Sequence, residues 1–329
     1  MARPKVYVCR RIPEAALEIV RGVAEMRLWD REDVPPPRDV LLQEAAECDG
    51  LLTLLTDRVD GELLARAPRL RVVANMAVGF DNIDVAAATA RGVVVTNTPE
   101  VLTETTADFA FALILAAARR LVEADAFTRA GRWKTWGPLL LAGQDVHHAT
   151  LGLIGVGRIG SAVARRARGF EMRILYYDTV RRHDLERQLG LEFRELNDVL
   201  READIISVHV PLTPQTRHLI GREQFRMMKK TAVFVNAARG PIVDQAALVE
   251  ALRTRTIYAA GLDVFEQEPI APDDPLLTLD NVVVAPHIAS ASIPTRTRMA
   301  TLAAENLAAV LQGRRPPTPV NPEVLDRPS

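Results

Sequence analysis

One stretch near the middle of the chain constrains the fold more than any other: LGLIGVGRIGSAVARRARGFEMRILYYD, residues 151–178. Gly155, Gly157 and Gly160 form a G-x-G-x-x-G pattern between a short apolar run typical of a strand and an apolar stripe with helical spacing. A second strand run ends on Asp178, about 20 residues past the glycines. In this order, the glycines let backbone N–H groups approach a pyrophosphate, and the acid can accept both ribose hydroxyls. The stretch predicts a dinucleotide-binding βαβ unit; the alternative is a tight turn followed by a solvated aspartate.

The size and charge of the chain restrict its architecture and its partners. Its 329 residues exceed the length at which one hydrophobic core stops growing, so we expect two domains. A net charge of −1 argues against nucleic acid or an anionic membrane as the main partner and favours a small molecule. Cys9 and Cys48 have no metal-ligand spacing, so neither a disulfide scaffold nor a metal site is predicted.

The start of the chain and its apolar segments predict a cytoplasmic protein. The first residues, MARPKVYVCR, enter a strand pattern at once, which leaves no room for a signal peptide. The apolar stretch 109–118 is too short to cross a bilayer. We therefore expect no membrane association.

Short apolar runs alternate with helical patterns on both sides of the glycine stretch. Residues 1–100 carry KVYVC, DGLLTLL, LRVVANM and GVVVTN, with helical runs between them, which is typical of a parallel sheet with crossover helices. An Ala-rich pattern then predicts one long helix that ends near Gly131. Beyond the glycines, ADIISVHVP, AVFVNAAR, IYAAGLDVF and NVVVAP continue the alternation.

These patterns predict an α/β protein with two doubly wound parallel-sheet domains. Residues 101–289 would form a Rossmann dinucleotide-binding domain. Residues 1–100 would form a flavodoxin-like substrate domain. The helical tail, residues 290–329, is expected to return to it, because the second domain is complete by VVVAP. The substrate domain would then be discontinuous.

Three ionisable residues follow predicted strands of the second domain, where an open α/β sheet places its active groups. Arg239 follows VNAA, Glu268 lies in DVFEQEP, and His287 follows VVVAP. Any one of them could be a solvated side chain or a surface ion pair. Together they suit the reduction of a 2-keto acid: a guanidinium grips the carboxylate or carbonyl, an imidazolium gives a proton to the carbonyl oxygen, and a carboxylate holds that imidazole.

Several motifs resemble those of the D-isomer-specific 2-hydroxyacid dehydrogenases over nearly the whole chain: GVGRIG, VNAARGPIVDQAAL, AAGLDVFEQEP and VVVAPHIASA. Within that family, NMAVGFDNID and RWKTWGPLLLAG are most similar to glyoxylate and hydroxypyruvate reductases. The resemblance implies that Arg239, Glu268 and His287 are the catalytic residues.

The resemblance also implies binding roles. Backbone N–H groups of Val78 and Gly79 would hold the substrate carboxylate, Leu55 would line the pocket, and Trp136 would reach a neighbouring subunit's site or stay in the core of its own. His209 has the alternative of a buried strand-end histidine, and His147, His148 and His218 receive no role. Beside the three glycines, the residues implied to contact the dinucleotide are Thr106, Arg158, Ile159, Asp178, His209, Pro211, Thr216, Ala237, Asp263 and Ala289.

Single residues and the length of the chain distinguish it from related enzymes with other substrates. Phosphite dehydrogenases, which the chain also resembles, have a lysine where this chain has Val78, and formate dehydrogenases pair their histidine with glutamine where this chain has Glu268. The chain ends too soon for the regulatory domain that many phosphoglycerate dehydrogenases carry. A nucleotide-sensing corepressor is the alternative outside enzymes, and no basic or disordered flank supports it.

The cofactor and the assembly are predicted from nearby side chains. Asp178 should repel a 2′-phosphate, so NADH is the expected cofactor, with some NADPH use because Arg181 and Arg182 lie close in sequence. Trp133, Trp136 and a leucine run would be exposed in a monomer, which predicts a homodimer through the dinucleotide domain.

Overall fold

The computed structural model of the protein describes residues 3–326. The chain divides into two compact units, one built from Met1–Leu102 with Ala291–Ser329 and the other from Thr103–Ser290. Each unit contains one sheet in which all paired strands are parallel, so the predicted fold class is confirmed.

The helices and strands alternate along almost the entire chain. From the N-terminus to the start of the glycine motif they are β1 (Lys5–Val8), α1 (Glu14–Val23), β2 (Glu25–Leu28), α2 (Arg38–Glu47), β3 (Gly50–Thr53), α3 (Gly61–Arg66), β4 (Val72–Asn75), α4 (Val85–Ala90), β5 (Val94–Thr96), α5 (Thr103–Ala118), α6 (Leu121–Arg129) and β6 (Thr150–Ile154). From the motif onward they are α7 (Arg158–Arg168), β7 (Arg173–Tyr177), α8 (His183–Leu189), β8 (Glu192–Phe193), α9 (Leu196–Glu202), β9 (Ile205–Val208), α10 (Arg222–Met227), β10 (Val233–Asn236), α11 (Gln245–Arg253), β11 (Ala259–Leu262), β12 (Val282–Val284) and α12 (Ile293–Leu311).

The first unit has the flavodoxin-like strand order, β2-β1-β3-β4-β5. Strands β3, β4 and β5 are buried along their whole length, as expected for a parallel sheet covered on both faces. Helix α12 belongs to this unit and packs against α1 and against β3, β4 and β5. The chain therefore leaves the first unit at Leu102 and re-enters it at Ala291.

Short polar side chains fix several helix starts. Asp60 accepts a hydrogen bond from the Leu63 N–H at 3.1 Å, and Asp84 accepts one from the Ala87 N–H at 2.9 Å. These caps satisfy N–H groups that have no partner within the helix. They help to place α3 and α4, which are only six residues long and could not be stable alone.

The prediction of one long Ala-rich helix is wrong, because the chain turns sharply between α5 and α6. Arg120 adopts a left-handed backbone conformation with φ of 54°. The carbonyl of Ala118 accepts a hydrogen bond from the Gln144 N–H at 2.9 Å. A continuing α-helix would need that carbonyl for its own ladder. The returning segment therefore ends α5, and α6 starts in a new direction.

The second unit has the strand order β12-β11-β10-β9-β6-β7-β8. This is the Rossmann order, with β6 as its first strand and β12 as an additional strand at one edge. The order reverses between β6 and β9, and ligands of such sheets bind beyond the carboxyl ends of the strands at that point. Among residues 3–326, no helix has the length and apolar character needed to cross a bilayer.

Candidate active site

The strand register of the second unit aligns several predicted site residues along the carboxyl edge of its sheet. The last paired residues of β7, β6, β9, β10, β11 and β12 lie side by side. The next residue of each strand therefore emerges at the same edge of the sheet. In spatial order these residues are Asp178, Gly155, His209, Ala237, Asp263 and Ala285.

The glycine loop after β6 has two kinds of glycine. Gly155 has φ of 91°, and a Cβ on Gly160 would lie 2.2 Å from the Gly155 carbonyl oxygen. These two positions exclude a side chain because the protein's own backbone occupies the space. Gly157, directly before α7, has no atom within 4 Å of an added Cβ. Its open side, at the N-terminus of an 11-residue helix, fits the close approach of a pyrophosphate.

Asp178 is fixed beside this loop. Its Oδ2 accepts a hydrogen bond from the Val156 N–H at 2.8 Å, which leaves further acceptor capacity for ribose hydroxyls. Arg181 is paired with Glu186 at 2.7 Å, and Arg182 is paired with Asp184 at 2.8 Å. The hydrogen bond from Arg181 lowers the pKa of Glu186 to about 2. Both arginines that follow Asp178 are thus already engaged by carboxylates.

His209 follows β9 directly, and its imidazole is held by the preceding strand. Its Nε2 lies 2.8 Å from the Ser207 hydroxyl oxygen, and its backbone N–H donates to the Ile154 carbonyl. Burial lowers the pKa of His209 to about 4. The ring is therefore neutral near pH 7, and it places no positive charge beside the glycine loop.

Glu268 and His287 form a hydrogen-bonded pair. Oε2 of Glu268 lies 2.6 Å from Nδ1 of His287, and the two side chains are 29% and 25% exposed. The other carboxylate oxygen, Oε1, accepts from the Phe265 N–H at 3.0 Å. Burial alone would raise the pKa of Glu268, but the hydrogen bond and charge of His287 hold it below its ordinary value. The pair can hold a proton on the imidazole and leaves Nε2 for a substrate.

The segment that carries His287 has an unusual backbone, with φ of 56° at His287 itself. Such a left-handed conformation is uncommon outside glycine and needs support from its surroundings. Asp263 supplies that support: its two carboxylate oxygens accept from the Ile288 and Ala289 N–H groups at 2.7 and 2.8 Å. Its backbone carbonyl also accepts from the His287 N–H. Burial raises the pKa of Asp263, and the carboxylate acts here on the chain that positions the imidazole.

Arg239 lies in a loop that is interlocked with the Glu268 loop. Asn236, buried at the end of β10, donates from Nδ2 to the Arg239 carbonyl at 2.9 Å and accepts from the Ala238 N–H at 3.0 Å. A Cβ on Gly240 would lie 1.7 Å from the Phe265 carbonyl oxygen, so only glycine allows the two loops to touch. The charge of Arg239 also helps to lower the pKa of Glu268.

In the first unit, asparagines hold the loop of Val78 and Gly79. Asn97 donates to the Val78 carbonyl at 2.8 Å, and Asn75 donates to the Gly79 carbonyl at 3.0 Å. A third amide, Asn82, accepts from Asn75 and donates to the carbonyl of Leu54. Because asparagine side chains bind both carbonyls, the loop is held in a fixed conformation.

The sequence motifs did not identify four of these supporting residues: Asn75, Asn82, Asn97 and Asn236. The available signal is weak. Asn75 and Asn236 are polar residues at the ends of otherwise apolar strand runs, VVAN and VFVN. A buried amide at such a position must find partners, which indicates a structured loop beyond the strand.

The remaining predicted residues occupy varied environments. Thr106 is buried on α5, whereas Trp136 is 78% exposed between α6 and β6. Leu55 is half-buried in the loop after β3. Among residues 3–326, no group of three or more His, Cys, Asp or Glu side chains could hold a metal ion. The others lie at the carboxyl side of the second sheet's strands or at the start of α7: Arg158, Ile159, Pro211, Thr216 and Ala289.

Comparison with known proteins gives full-length relatives. The family model for the NAD-binding domain of D-isomer specific 2-hydroxyacid dehydrogenases matches residues 111–289. Glyoxylate reductase of Korarchaeum cryptofilum is 57% identical over 324 residues, which cover 98% of this chain and 97% of the relative.

Solved structures agree with these sequence matches. A protein from Thermus thermophilus has a TM-score of 0.90 at 46% identity, covering 96% of this chain and 99% of its own. The NADPH-dependent glyoxylate/hydroxypyruvate reductase of Sinorhizobium meliloti, solved with NADP and malonate, has a TM-score of 0.85 at 35% identity, with 100% of both chains covered. The similarity thus includes both units of the chain.

Proposed function

The chain belongs to the D-isomer-specific 2-hydroxyacid dehydrogenases, and on this basis we propose that it reduces glyoxylate, hydroxypyruvate or a 2-keto acid of similar size to the D-2-hydroxy acid. It is an NAD(P)-dependent oxidoreductase of small 2-keto and 2-hydroxy acids. Two relatives support the finer proposal through their names, glyoxylate reductase and glyoxylate/hydroxypyruvate reductase.

The observation that carries the mechanism is the Glu268–His287 pair at the carboxyl edge of the dinucleotide-binding sheet. Reduction adds a hydride to the carbonyl carbon and a proton to the carbonyl oxygen, and the hydride is what a reduced nicotinamide supplies. His287 holds the proton and donates it to the oxygen. Glu268 orients the imidazole through Nδ1 and stabilises its protonated form.

The other site residues are proposed to bind and orient. Arg239 grips the substrate carboxylate or carbonyl, since a guanidinium offers two parallel donors. In the first unit, the N–H groups of Val78 and Gly79 bind the substrate carboxylate, and Leu55 lines the pocket. The glycine loop and Asp178 hold the pyrophosphate and the adenosine ribose, together with the other dinucleotide-contacting residues named above.

NADH is the proposed preferred cofactor. Asp178 would repel a 2′-phosphate, and the arginines that could compensate are paired with Glu186 and Asp184. A moderate NADPH activity is still expected, because both ion pairs are at least partly exposed and their arginines can exchange partners at small cost. A tenfold preference for NADPH in kcat/KM, about 1.4 kcal/mol, would contradict the proposal.

We also propose that the protein is a cytoplasmic homodimer that associates through the second unit. Exposed apolar side chains cluster in sequence between α5 and β6, and exposed apolar surface of this kind is common at interfaces. Trp136 is the proposed contributor to the neighbouring subunit's site. The side chains concerned are Leu121, Val122, Trp133, Trp136 and Leu139.

A substrate panel tests the proposed function. Purified protein is assayed with NADH and, separately, glyoxylate, hydroxypyruvate or pyruvate, and with NAD and phosphite in the oxidative direction. The expected result is the highest kcat/KM with glyoxylate or hydroxypyruvate and no turnover of phosphite, since Val78 offers no cation for a doubly charged oxyanion. Turnover of phosphite above that of every keto acid would replace the proposal with the rival reaction.

A further inference from the structure

A second histidine–carboxylate pair lies two residues along the chain from Glu268. Nε2 of His218 lies 2.6 Å from Oε1 of Glu266. The two side chains are 45% and 36% exposed, so the pair is accessible to solvent. Because exposed ion pairs contribute little to stability, stabilisation of the fold is a weak explanation for the His218–Glu266 pair.

Glu266 is bound on its other side as well. Its backbone N–H donates to Oε1 of Gln245 at 3.0 Å, and its Oε2 accepts from the Gln245 N–H at 3.3 Å. Gln245 in turn donates from Nε2 to Asp274 at 2.8 Å. The next contact along the loop is the Phe265 N–H, which donates to Glu268. Glu266 directly follows the residue whose N–H donates to Glu268, so contacts that hold Glu266 also restrain the backbone beside that donor.

His218 is attached to the loop of Arg239. Its backbone N–H donates to the Pro241 carbonyl at 2.9 Å, and its φ is 53°. Pro241 follows Gly240, whose backbone touches the Phe265 carbonyl. His218 thus joins two loops: its backbone N–H binds the loop of Arg239, and its imidazole binds Glu266 in the loop of Glu268. All of these residues belong to the second unit.

We propose that His218 is a positioning residue for catalysis: through Glu266 it fixes the loop that aims Glu268 at His287. The inference rests on the proposed roles of Glu268 and His287. The charged groups around Glu268 are His287, Arg239 and Asp263, whereas the carboxylate of Glu266 is held by His218 and Gln245. Loss of the His218 contact should loosen the Glu268–His287 hydrogen bond without removing either partner.

The test compares His218→Ala with His218→Gln. Both substitutions face the same left-handed backbone, but the glutamine amide can reach Glu266 with a donor at nearly the position of Nε2. His148→Ala is the matched control, because His148 is also exposed, left-handed with φ of 60° and paired with a glutamate, but it precedes β6 at the opposite edge of the sheet. The measurements are kcat/KM for the keto acid against pH, and KM for NADH.

His218→Ala should lower kcat/KM about tenfold. This is less than the ~100-fold loss that follows when a catalytic group is displaced by 1 Å, because both Glu268 and His287 are still present. Reduction consumes a proton, so kcat/KM should fall at high pH, and this fall is the falling limb of the profile. Both His218→Ala and Glu268→Gln should move the falling limb to lower pH, because each weakens the contact between the Glu268 carboxylate and His287. His218→Ala should leave KM for NADH nearly unchanged. His218→Gln should restore both quantities. In a Glu268→Gln background, His218→Ala should not move the limb further.

The outcomes separate the two levels of the proposal. If Glu268→Gln moves the limb and His218→Ala does not, His218 has no positioning role and the proposed function stands. If Glu268→Gln itself leaves the limb in place, the assignment of Glu268 fails first. A loss of activity in His218→Ala with an unchanged profile shape, or an equal loss in His148→Ala, would show a general structural effect and overturn the inference. Should His218→Ala fail to fold, Glu266→Ala removes the same contact and is judged by the same criteria.

Discussion

At the residue scale, the proton transfer that we propose depends on one short hydrogen bond, between Glu268 and His287. Backbone contacts hold both partners of that bond in place. Phe265 donates to the free oxygen of Glu268, and Asp263 holds the chain on which His287 lies in a left-handed conformation. Pre-organised groups of this kind do not have to reorient during the reaction, which is how an active site lowers its barrier.

Glu268→Gln should move the falling limb of keto-acid reduction to lower pH. Burial would raise the pKa of Glu268, but His287 holds it below its ordinary value, so the carboxylate stays ionised until the pH falls through that lowered value. Above it, the charged carboxylate lies 2.6 Å from Nδ1 of His287 and stabilises a positive charge on that ring. Reduction consumes a proton and so declines as pH rises; without the carboxylate charge, we expect this decline to begin at lower pH. The measurement is kcat/KM as a function of pH, and the Kd for NADH, which should not change, is the control. If the fall of kcat/KM occurs at the same pH in Glu268→Gln, Glu268 is not the group that stabilises the proton on His287.

Asp57→Asn should stabilise the protein at neutral pH. Burial raises the pKa of Asp57 to about 6, and its Oδ1 has no hydrogen-bond partner among residues 3–326. The folded state therefore binds this proton more tightly than the unfolded chain, whose value is about 3.9. Protonated Asp57 therefore stabilises the folded state most below about pH 4. This contribution to the free energy of unfolding, up to ~3 kcal/mol, is lost as pH rises through about 6. Thermal midpoints at pH 4 and pH 8 test this: if the Asp57→Asn protein melts below the native one at pH 8, the prediction is wrong.

The proximity of the candidate catalytic residues was predictable from sequence, whereas their roles remain proposals. Arg239, Glu268 and His287 follow strands whose carboxyl ends must meet in a parallel sheet, and their side chains suit one reaction. The contributions of Asn236 and Gly240 were not predictable, because they depend on which backbone groups a loop brings within hydrogen-bond distance. The pair His218–Glu266 likewise joins residues 48 positions apart that no local pattern connects.

At the element scale, the turn from β6 to α7 determines how the sheet can hold a dinucleotide. Gly160 allows the first turn of α7 to lie against the Gly155 carbonyl, while Gly157 keeps the helix N-terminus open. Two glycines of one motif thus differ: Gly160 is required for packing, whereas Gly157 leaves open space where we propose that the cofactor binds.

Gly157→Ala and Gly160→Ala should therefore have different effects. An added methyl at 157 meets no protein atom within 4 Å, so the variant should fold normally but bind NADH at least tenfold more weakly, by about 1.4 kcal/mol. A methyl at 160 would lie 2.2 Å from the Gly155 carbonyl and should lower stability by about 1–3 kcal/mol. Thermal unfolding without cofactor and NADH titration distinguish them. An NADH affinity of Gly157→Ala equal to that of the native protein would mean that the open side of Gly157 does not face the cofactor.

The order of the helices and strands could be predicted from sequence better than the point at which each one ends. The buried strands of both sheets are continuous apolar runs and were identified from sequence. Strand β2, EMRL, was not identified, because an edge strand with alternating charges lacks that signal. The break between α5 and α6 was missed as well, since Arg119 and Arg120 are good helix formers and the hydrogen bond from Gln144 that ends α5 comes from a distant segment.

At the scale of the whole molecule, the exposed apolar side chains between α5 and β6 need an explanation. Trp136 is 78% exposed and Leu139 is 85% exposed, within a segment that also presents Trp133. Light scattering at micromolar concentration should give twice the mass of one chain. Leu139→Arg should shift the protein toward the monomer, whereas Val180→Arg, at an exposed apolar residue after β7, should leave the mass unchanged. A native protein that scatters as a monomer would reject the dimer.

The two-unit organisation follows from physical limits that the sequence displays. The chain is too long for one core, and two separate alternations of strands and helices each satisfy a sheet. Helix α12 packs on α1 in the first unit, although it follows the last strand of the second. Sequence patterns do not determine the geometry of the proposed dimer, because an exposed tryptophan gives no information on how a partner would pack against it.

The most direct measurement of the central claim is the kcat/KM of His287→Ala for glyoxylate with saturating NADH, across the pH range. If His287 donates the proton, the variant should lose about 10²- to 10⁴-fold at every pH and should no longer show the falling limb, while its Kd for NADH stays close to that of the native protein. A rate within a few-fold of the native one, with the limb still present, would contradict the account and assign the proton to another group.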